Sequence, residues 1–549
     1  MIKKFSKYFL LFYFFGINLF PQTKLSFYNA FDSILPINIK KHLTILASDS
    51  LEGRGVGTNG GNLAAKYIAE QFSDFGLEKS FKLNSFYQNI PMHGSISLIS
   101  SELTLVQDDT TINLIFGDDY FLYRSGQQTY IPVPLPLVFV GYGIVAPEYD
   151  YNDYQSVDVE NKIVVYFEGE PQSKDDDYFN GNLPTIYSNQ ETKRRIALSR
   201  GAAGTILIPL SKYDDWNSVQ KEFFSEDVTL AYSVTGNLNL IMNPLSAAKL
   251  FTDSKYSYDD VISMYGDNRI KSFPLKTKIK FKGAFKERDF ISQNIIGIIP
   301  GSDEKLKDTY LIISAHYDHL GIGLSIEGDS VYNGALDNAI GVSVLLELAN
   351  SFSKLDKKPK RSIVFIATTG EEKGLLGSTY YTDNPVIPLY KTIANVNIDG
   401  IAMFKDFESV VGIGEEYSSL DKYLKQTADK FNLIVQNIPD EFRIVGEFNS
   451  SDQFAFAMAG IPSILIYEGT KNKSKSEEEV LNAFITYYLE KYHTPFDDLN
   501  QNIDFDAAAR HAKIIFDFCF NLANSIDTPQ WNEGVNFINA RLRSIAEKR

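Results

Sequence analysis

From Asn294 to the C-terminus, continuous apolar runs of strand length alternate with longer stretches in which apolar residues recur every three or four positions. The runs are TYLIISA, RSIVFIAT, IANVNID and PSILIYE, and the helical stretches include IGVSVLLELANSF and an amphipathic segment from Asp506 to Asn524. Strands that are apolar on both faces need cover on both faces. This region is therefore expected to be an α/β unit, a central mixed, mainly parallel sheet flanked by helices. Upstream, Gly61 to Leu77 places Ala64, Ile68, Phe72 and Phe75 on one helical stripe, with Gly76 as a stop. Short alternating runs such as ISLISSELTLV predict strands between Phe86 and Phe121. A distinct block runs from Pro134 to Lys286, bounded by IPVPLPL. There the strands VFVGYGIVA and KIVVYFEGE and a helix leading into GAAGTILI predict a small β-rich α/β domain inserted in the larger unit. The expected division is 1–22, 23–133, 134–286 and 287–549, the second and last parts forming one unit.

A chain of 549 residues exceeds what one core usually organises, which agrees with two packed units. The net charge of -16 would repel phosphate backbones and no dense Lys/Arg stripe offsets it, so nucleic acid is not an expected partner. Lys3, Lys4 and Lys7 precede the uncharged apolar run Tyr8 to Phe20, which is short for a membrane span. Residues 1–22 are accordingly expected to be a signal peptide. The mature protein is then exported, periplasmic or extracellular, without stable membrane association. Cys519, the single cysteine, sits in the helical pattern IIFDFCFNLAN and is expected to be inert packing.

Candidate chemistry collects at the predicted strand ends of the last region, where open α/β sheets place their sites. His316 in SAHYDH stands two residues before Asp318; in an extended segment both point to one side, so the carboxylate can hydrogen-bond the imidazole and aim it at a metal. A surface hydrogen-bonded pair would look the same. Asp337 in GALDNAIG is either a helix cap or a ligand, and the cap role suits Asn338. Glu371 and Glu372 follow an apolar strand and a Thr-Thr-Gly turn. As adjacent like charges they are either a solvated helix start or a pair with separate tasks beside a cation. Asp399 ends the strand NVNIDG, and His493 lies in the Pro-containing loop EKYHTPFDDLN. Together these are two imidazoles and three carboxylates, with Glu371 beside them. Nitrogen and oxygen ligands without thiolate point to zinc first, with cobalt or manganese as substitutes.

The stretches LASDSLEGRGVGT, SAHYDHLG, NGALDNAIG, TTGEEKGLLGS, NIDG, SSDQFAFAMAGIPSI and YHTPFDD, in this order, resemble the co-catalytic zinc exopeptidases. That family includes bacterial secreted leucyl aminopeptidases, aminopeptidase Y and glutamate carboxypeptidase II. The resemblance implies two zinc ions per chain, one on His316 and Asp399, the other on Glu372 and His493, with Asp337 bridging. It also implies Glu371 as general base, Asp318 as the residue that orients His316, and peptides as substrates, most directly through an aminopeptidase activity. The block from Pro134 to Lys286, with VFVGYGI, APEYDYNDY and VENKIVVYFEGEP, resembles the protease-associated domain inserted in many members. Leu336, Ile340 and Gln453 depart from residues common at their positions, and Glu160 and Asn161 replace a Gly-containing turn; none removes a ligand. A carboxypeptidase of the same family would use the same ligands with an Arg-lined pocket, and Arg443 is the nearest candidate. A glutaminyl cyclase-like relative would leave His316 and Asp318 without purpose, and a receptor-like relative would have lost ligands. Tyr467, at the end of SILIYE, is a candidate oxyanion donor or ordinary strand-end packing.

Overall fold

The structure is a computed structural model that describes residues 26–548 apart from 109, 176–177, 180, 182–183, 211–215, 217–218, 220–225, 401–402 and 440–446. The expected signal segment 1–22 and Arg443 lie outside the described residues.

The first of two large sheets has nine strands, here β1 (Tyr87–Ser97), β2 (Asp227–Leu230), β3 (Phe285–Ile299), β4 (Tyr310–His316), β5 (Ser362–Thr368), β6 (Thr392–Asn397), β7 (Ser409–Ile413), β8 (Ile434–Val435) and β9 (Ser463–Glu468). Their spatial order is β2-β1-β3-β5-β4-β6-β9-β7-β8. The central strands β5, β4, β6 and β9 run parallel. Antiparallel pairings extend the sheet through β3, β1 and β2 on one side and to β7 on the other, so the sheet is mixed around a parallel centre.

Successive residues of β3, β4 and β5 point into opposite apolar layers. Ile295, Leu311, Ile313, Ile363 and Phe365 pack with the helices Pro36–Leu46, Asn59–Asp74, Ile340–Lys354 and Phe505–Asn524. Ile296, Ile298, Ile312, Val364 and Ile366 pack on the other face with Tyr381 and Phe456. Both faces are covered, which is why these strands read as unbroken apolar runs. The stripe Ala64, Ile68 and Phe72 is fully buried in the helix Asn59–Asp74, whose first turn is capped by the Thr58 hydroxyl on the Gly61 N–H. Cys519 is buried in the last of these helices, and burial pushes its thiol pKa up.

The second sheet, of eight strands, lies between Glu102 and Lys282 and has its own apolar cluster from Leu103 to Phe285. Its strand Phe273–Lys282 alternates strictly, with Phe273, Leu275, Thr277, Ile279 and Phe281 buried and Pro274, Lys276, Lys278, Lys280 and Lys282 exposed, as one solvated face requires. Two features differ from a block confined to 134–286. Strands Glu102–Gln107, Thr110–Leu114 and Tyr120–Leu122 belong to this sheet although they precede Pro134. Conversely, β2, from inside the block, pairs with β1 as the edge strand of the first sheet, Met92 opposite Leu230 and Ser95 opposite Asp227. The two units thus share a sheet edge as well as two connections. Among the described residues no helix is long and apolar enough to cross a membrane.

Phe516 is fully buried where the helices meet, its ring 4.3 Å from Phe352 and 5.7 Å from Phe27. Phe516→Ala is expected to cost about 3–5 kcal/mol through the cavity it leaves. Denaturant unfolding checks this, and an unchanged midpoint would contradict the packing.

Candidate active site

The parallel strands deliver side chains at their C-terminal ends. His316 is the last residue of β4, Glu371 and Glu372 follow β5 across a Gly370 turn, and Asp399 lies two residues beyond β6. Asp337 sits in the short turn Ala335–Ala339 that precedes the helix Ile340–Lys354. His493 enters from a loop after the helix Glu477–Glu490, with φ 57, its ring stacked on Tyr492 at 3.9 Å and Tyr492 in turn on Tyr488 at 4.5 Å.

These groups converge on Asp337. Its Oδ1 lies 3.4 Å from His316 Nε2, which also meets Asp399 Oδ1 at 3.2 Å and Glu371 Oε2 at 4.0 Å. Its Oδ2 lies 3.2 Å from His493 Nε2, which stands 3.1 Å from Glu372 Oε2. All seven residues singled out from the sequence, His316, Asp318, Asp337, Glu371, Glu372, Asp399 and His493, therefore stand at one place. His319, not singled out, joins them. Its Nδ1 meets Glu372 Oε1 at 2.6 Å and Asp337 Oδ2 at 3.8 Å. Ligand atoms of His316, Asp337 and Asp399 lie within 4.8 Å of one another, and so do those of His319, Asp337 and Glu372. The signal for His319 in the sequence is its place in SAHYDHLG, three residues after His316.

Asp318 differs from expectation. The Nδ1 of His316 meets the backbone carbonyl of Asp318 at 3.1 Å, not its carboxylate. The carboxylate instead accepts the backbone N–H groups of Glu371, at 3.2 Å, and Glu372, at 3.4 Å. A carbonyl two residues on reaches the imidazole because the chain leaves the strand after His316. The buried carboxylate is thereby freed to fix the turn that carries both glutamates. Burial, with the charge of Glu372 adding to it, pushes the Asp318 pKa up to about 7.

Three further residues hold the loops. Asn338 donates to Ile398 O at 2.8 Å and accepts from Gly341 N at 3.1 Å and Gly400 N at 3.0 Å, so the cap of the following helix also ties Asp337 to the Asp399 loop. Asp497, from YHTPFDD, accepts the backbone N–H of Leu336 and of Asp337, both at 3.0 Å. Arg54, from LEGRGVGT, is fully buried. It donates to the carbonyls of Tyr317, Leu46, Asn333 and Gly334 at 2.7, 2.7, 2.5 and 2.9 Å. Burial lowers its pKa to about 10 against the pull of Asp337 and Asp497. Gly334 holds φ 55, and a Cβ there would stand 2.4 Å from the His319 ring, so only glycine lets that ring approach.

Beside these groups opens a pocket. Leu336, Met403, Val411, Ile413, Ile438, Leu465, Phe484, Tyr487, Tyr488 and Tyr492 form much of its wall, and Asp337, Glu371, Asp399 and Glu468 supply its acidic groups. Among the described residues lining it there is no Lys or Arg. Glu468, whose pKa burial pushes up to about 8, accepts the N–H of Met403 and Phe404. Tyr467 lines the pocket with its hydroxyl given to the Asp399 carbonyl.

Crowding acts on protonation. Burial opposes charge on His316, but Asp399 and Glu371 outweigh it and raise its pKa well above the ordinary value; Glu372 and Asp337 do the same for His493. Burial and the neighbouring Glu372 and Asp399 raise Glu371 well above the carboxylate range, against the pull of His316.

An α/β sheet with paired imidazoles and carboxylates at its parallel strand ends is an arrangement that can hold metal ions. Residues 294–519 match the family model for Peptidase family M28. A protein described as "Probable zinc metalloprotease" from Pyrenophora teres f. teres (strain 0-1) is 27% identical over 270 residues, 47% of this chain and 54% of that protein. "Aminopeptidase NAALADL1" from Mus musculus is 34% identical over 140 residues, 25% of this chain and 17% of that protein. The chain thus spans about half the length of the first relative and a smaller part of the second. The solved structure "Aminopeptidase from Aneurinibacillus sp. strain AM-1" shares the fold, with a TM-score of 0.51 at 19% identity over 92% of this chain and 97% of that one.

Removing the Arg54 fork leaves four buried carbonyls short of a donor. Arg54→Met is expected to lower unfolding stability by about 3 kcal/mol or more, read from denaturant titration. A loss below about 1 kcal/mol would show that the guanidinium is not what joins these loops.

Proposed function

We propose that the chain is a zinc-dependent exopeptidase that removes residues from the free N-terminus of peptides. It would hold two zinc ions, one on His316 and Asp399, the other on Glu372 and His493, with Asp337 shared. The donor set fits such ions. His493 Nε2 and Asp337 Oδ2 are buried 3.2 Å apart, yet among the described residues neither has a partner in hydrogen-bonding geometry, and His319 Nε2 also lacks one there. An imidazole nitrogen and a carboxylate oxygen this close without hydrogen-bonding geometry, beside further nitrogen and oxygen donors, suit a metal of zinc's preference. His319, on the Glu372 side, is either an orienting neighbour or a further ligand of the second ion.

Zinc bound there would supply a Lewis acid that polarises a carbonyl and brings the pKa of water towards neutrality. The protein's own groups do the rest. Glu371 takes a proton from water at its carboxylate and returns it to the leaving amine. Asp318 holds the backbone of that turn through the amides of Glu371 and Glu372. Asn338 keeps the Asp337 and Asp399 loops at fixed separation.

The observation that carries the amino-terminal direction is the pocket wall, apolar with acidic groups only among its described charged residues. A substrate's α-amine meets acceptors there, whereas an α-carboxylate would meet like charge. The apolar wall favours an apolar end residue. The same proposal includes export, supported by the Lys-rich start and the run Tyr8 to Phe20. It also includes a protease-associated second unit, drawn from about Glu102 to Lys282 on the extent of its sheet.

Amino-acid anilides and short peptides test the activity, with mass spectrometry of the products. A peptide with a free N-terminus should be shortened from that end, and its N-acetylated copy should be a poor substrate. Release of C-terminal residues from both would sink the amino-terminal direction while sparing the metal site. Glu371→Gln should abolish turnover with both zinc ions retained, and His493→Ala should lose one ion together with activity. Two zinc ions in the His493→Ala protein would remove His493 as a ligand.

A pH test follows from the raised pKa values of the two histidines. With their pKa values raised, His316 and His493 carry protons at neutral pH, and both must lose them to bind a metal. Zinc affinity should fall as pH falls, with net proton release at pH near 7. Calorimetry in two buffers of different ionisation enthalpy measures it; identical heats would contradict the assignment.

A further inference from the structure

We propose that Arg124, contributed by the second unit, is a positioning residue for the turn that carries Glu371. This rests on the proposed role of Glu371 as proton acceptor. The turn is not a conformation a free loop holds: Gly370 and Gly374 have φ 71 and 94, and Leu375, a non-glycine, has φ 58. Within it, the Glu371 carbonyl accepts the N–H of both Gly374 and Leu375 at 2.9 Å. Its leading side is pinned by the Asp318 carboxylate on the amides of Glu371 and Glu372. Its trailing side is met by Arg124, whose Nη2 donates to the Lys373 carbonyl at 3.3 Å.

Arg124 lies between two strands of the second sheet, Tyr120–Leu122 and Tyr130–Phe139. The Thr229 hydroxyl on β2 takes its Nη1 at 2.7 Å, and the Asp227 carboxylate accepts its backbone N–H. The guanidinium is therefore fixed before it reaches the turn, which a lysine on a free stem would not be. It packs flush: a Cβ on Gly374 would stand 2.9 Å from Nη2. The same unit also reaches the apolar cluster on which Leu375 packs. Ile186 packs against the apolar cluster of Val411, Phe448 and Phe454, which Leu375 also joins. The carboxylate that moves the proton thus has one side of its turn held by its own domain and the other by the second unit. A displacement near 1 Å at a reacting group costs rate far more than it costs binding.

The test compares Arg124→Ala, Arg124→Lys, Thr229→Val and Glu371→Gln in the full-length zinc-loaded protein, reading kcat, KM and zinc per chain. Arg124→Ala should lower kcat by about 10- to 100-fold, with KM within about threefold and zinc content unchanged. Arg124→Lys should recover part of the loss, and Thr229→Val should show a smaller loss of the same kind. Added guanidinium ion should raise kcat of Arg124→Ala and not of the parent protein. Such rescue is not expected of a residue that only stabilises the fold. Wild-type kcat in Arg124→Ala, a loss carried by KM alone, or loss of zinc would overturn the proposal. If Arg124→Ala does not fold, the kcat and KM of Thr229→Val decide on the same criteria. Retained turnover in Glu371→Gln would remove the proton-acceptor role and this proposal with it. An inactive Glu371→Gln beside a fully active Arg124→Ala would sink only the role of Arg124.

Discussion

Asp337 offers one carboxylate oxygen to each half of the site, and the rest of the structure has to hold that doubly used group beside Glu371, Glu372 and Asp399. Two like charges about 4 Å apart repel by about 4 kcal/mol at the effective dielectric of a protein surface, and more inside. The raised pKa values of His316, His493 and Glu371 are the response to that crowding, since each proton held there lessens the repulsion. Divalent cations would relieve it by coordination. Metal binding there would draw on the same electrostatic strain that folding creates, with proton release as the link between the two.

The loops that carry these groups are held through their backbones more than through the functional side chains themselves. Asn338, Asp318, Asp497 and Arg54 each form hydrogen bonds with peptide groups of neighbouring loops. This is an economical arrangement for a crowded acidic site. A carboxylate whose own oxygens are needed for chemistry cannot also be the group that fixes its position, so the fixing falls to amides and carbonyls beside it. Arg54 adds a positive charge behind the acids, its guanidinium donating to the carbonyls of Tyr317, Leu46, Asn333 and Gly334.

The second unit is joined to the first by more than its two connections. It supplies β2 to the first sheet, Arg288 on β3 reaches both Glu226 and the carbonyl of Gly57, and Tyr232 donates to Asp383 at 2.6 Å. These contacts surround the outer edge of the first sheet and the turn after β5. A unit with that footprint is placed to influence the site by holding its frame, even though the grouped imidazoles and carboxylates come from β4 onward.

What the sequence by itself determined was the α/β order and the chemistry. Unbroken apolar strands such as Ser362–Thr368 can only sit between two covered faces, and histidines and carboxylates placed just past such strands can only gather at one sheet end. Local patterns carry that information because strand direction and side-chain alternation repeat over a few residues. The pairing of β2 with β1, the use of a carbonyl rather than a carboxylate on His316, the place of His319 and the reach of Arg54 and Arg124 were decided only by tertiary structure. Each is a contact between segments far apart in the chain or a choice between two acceptors on one residue. Those outcomes depend on how whole elements pack, and no period of apolar and polar residues encodes them.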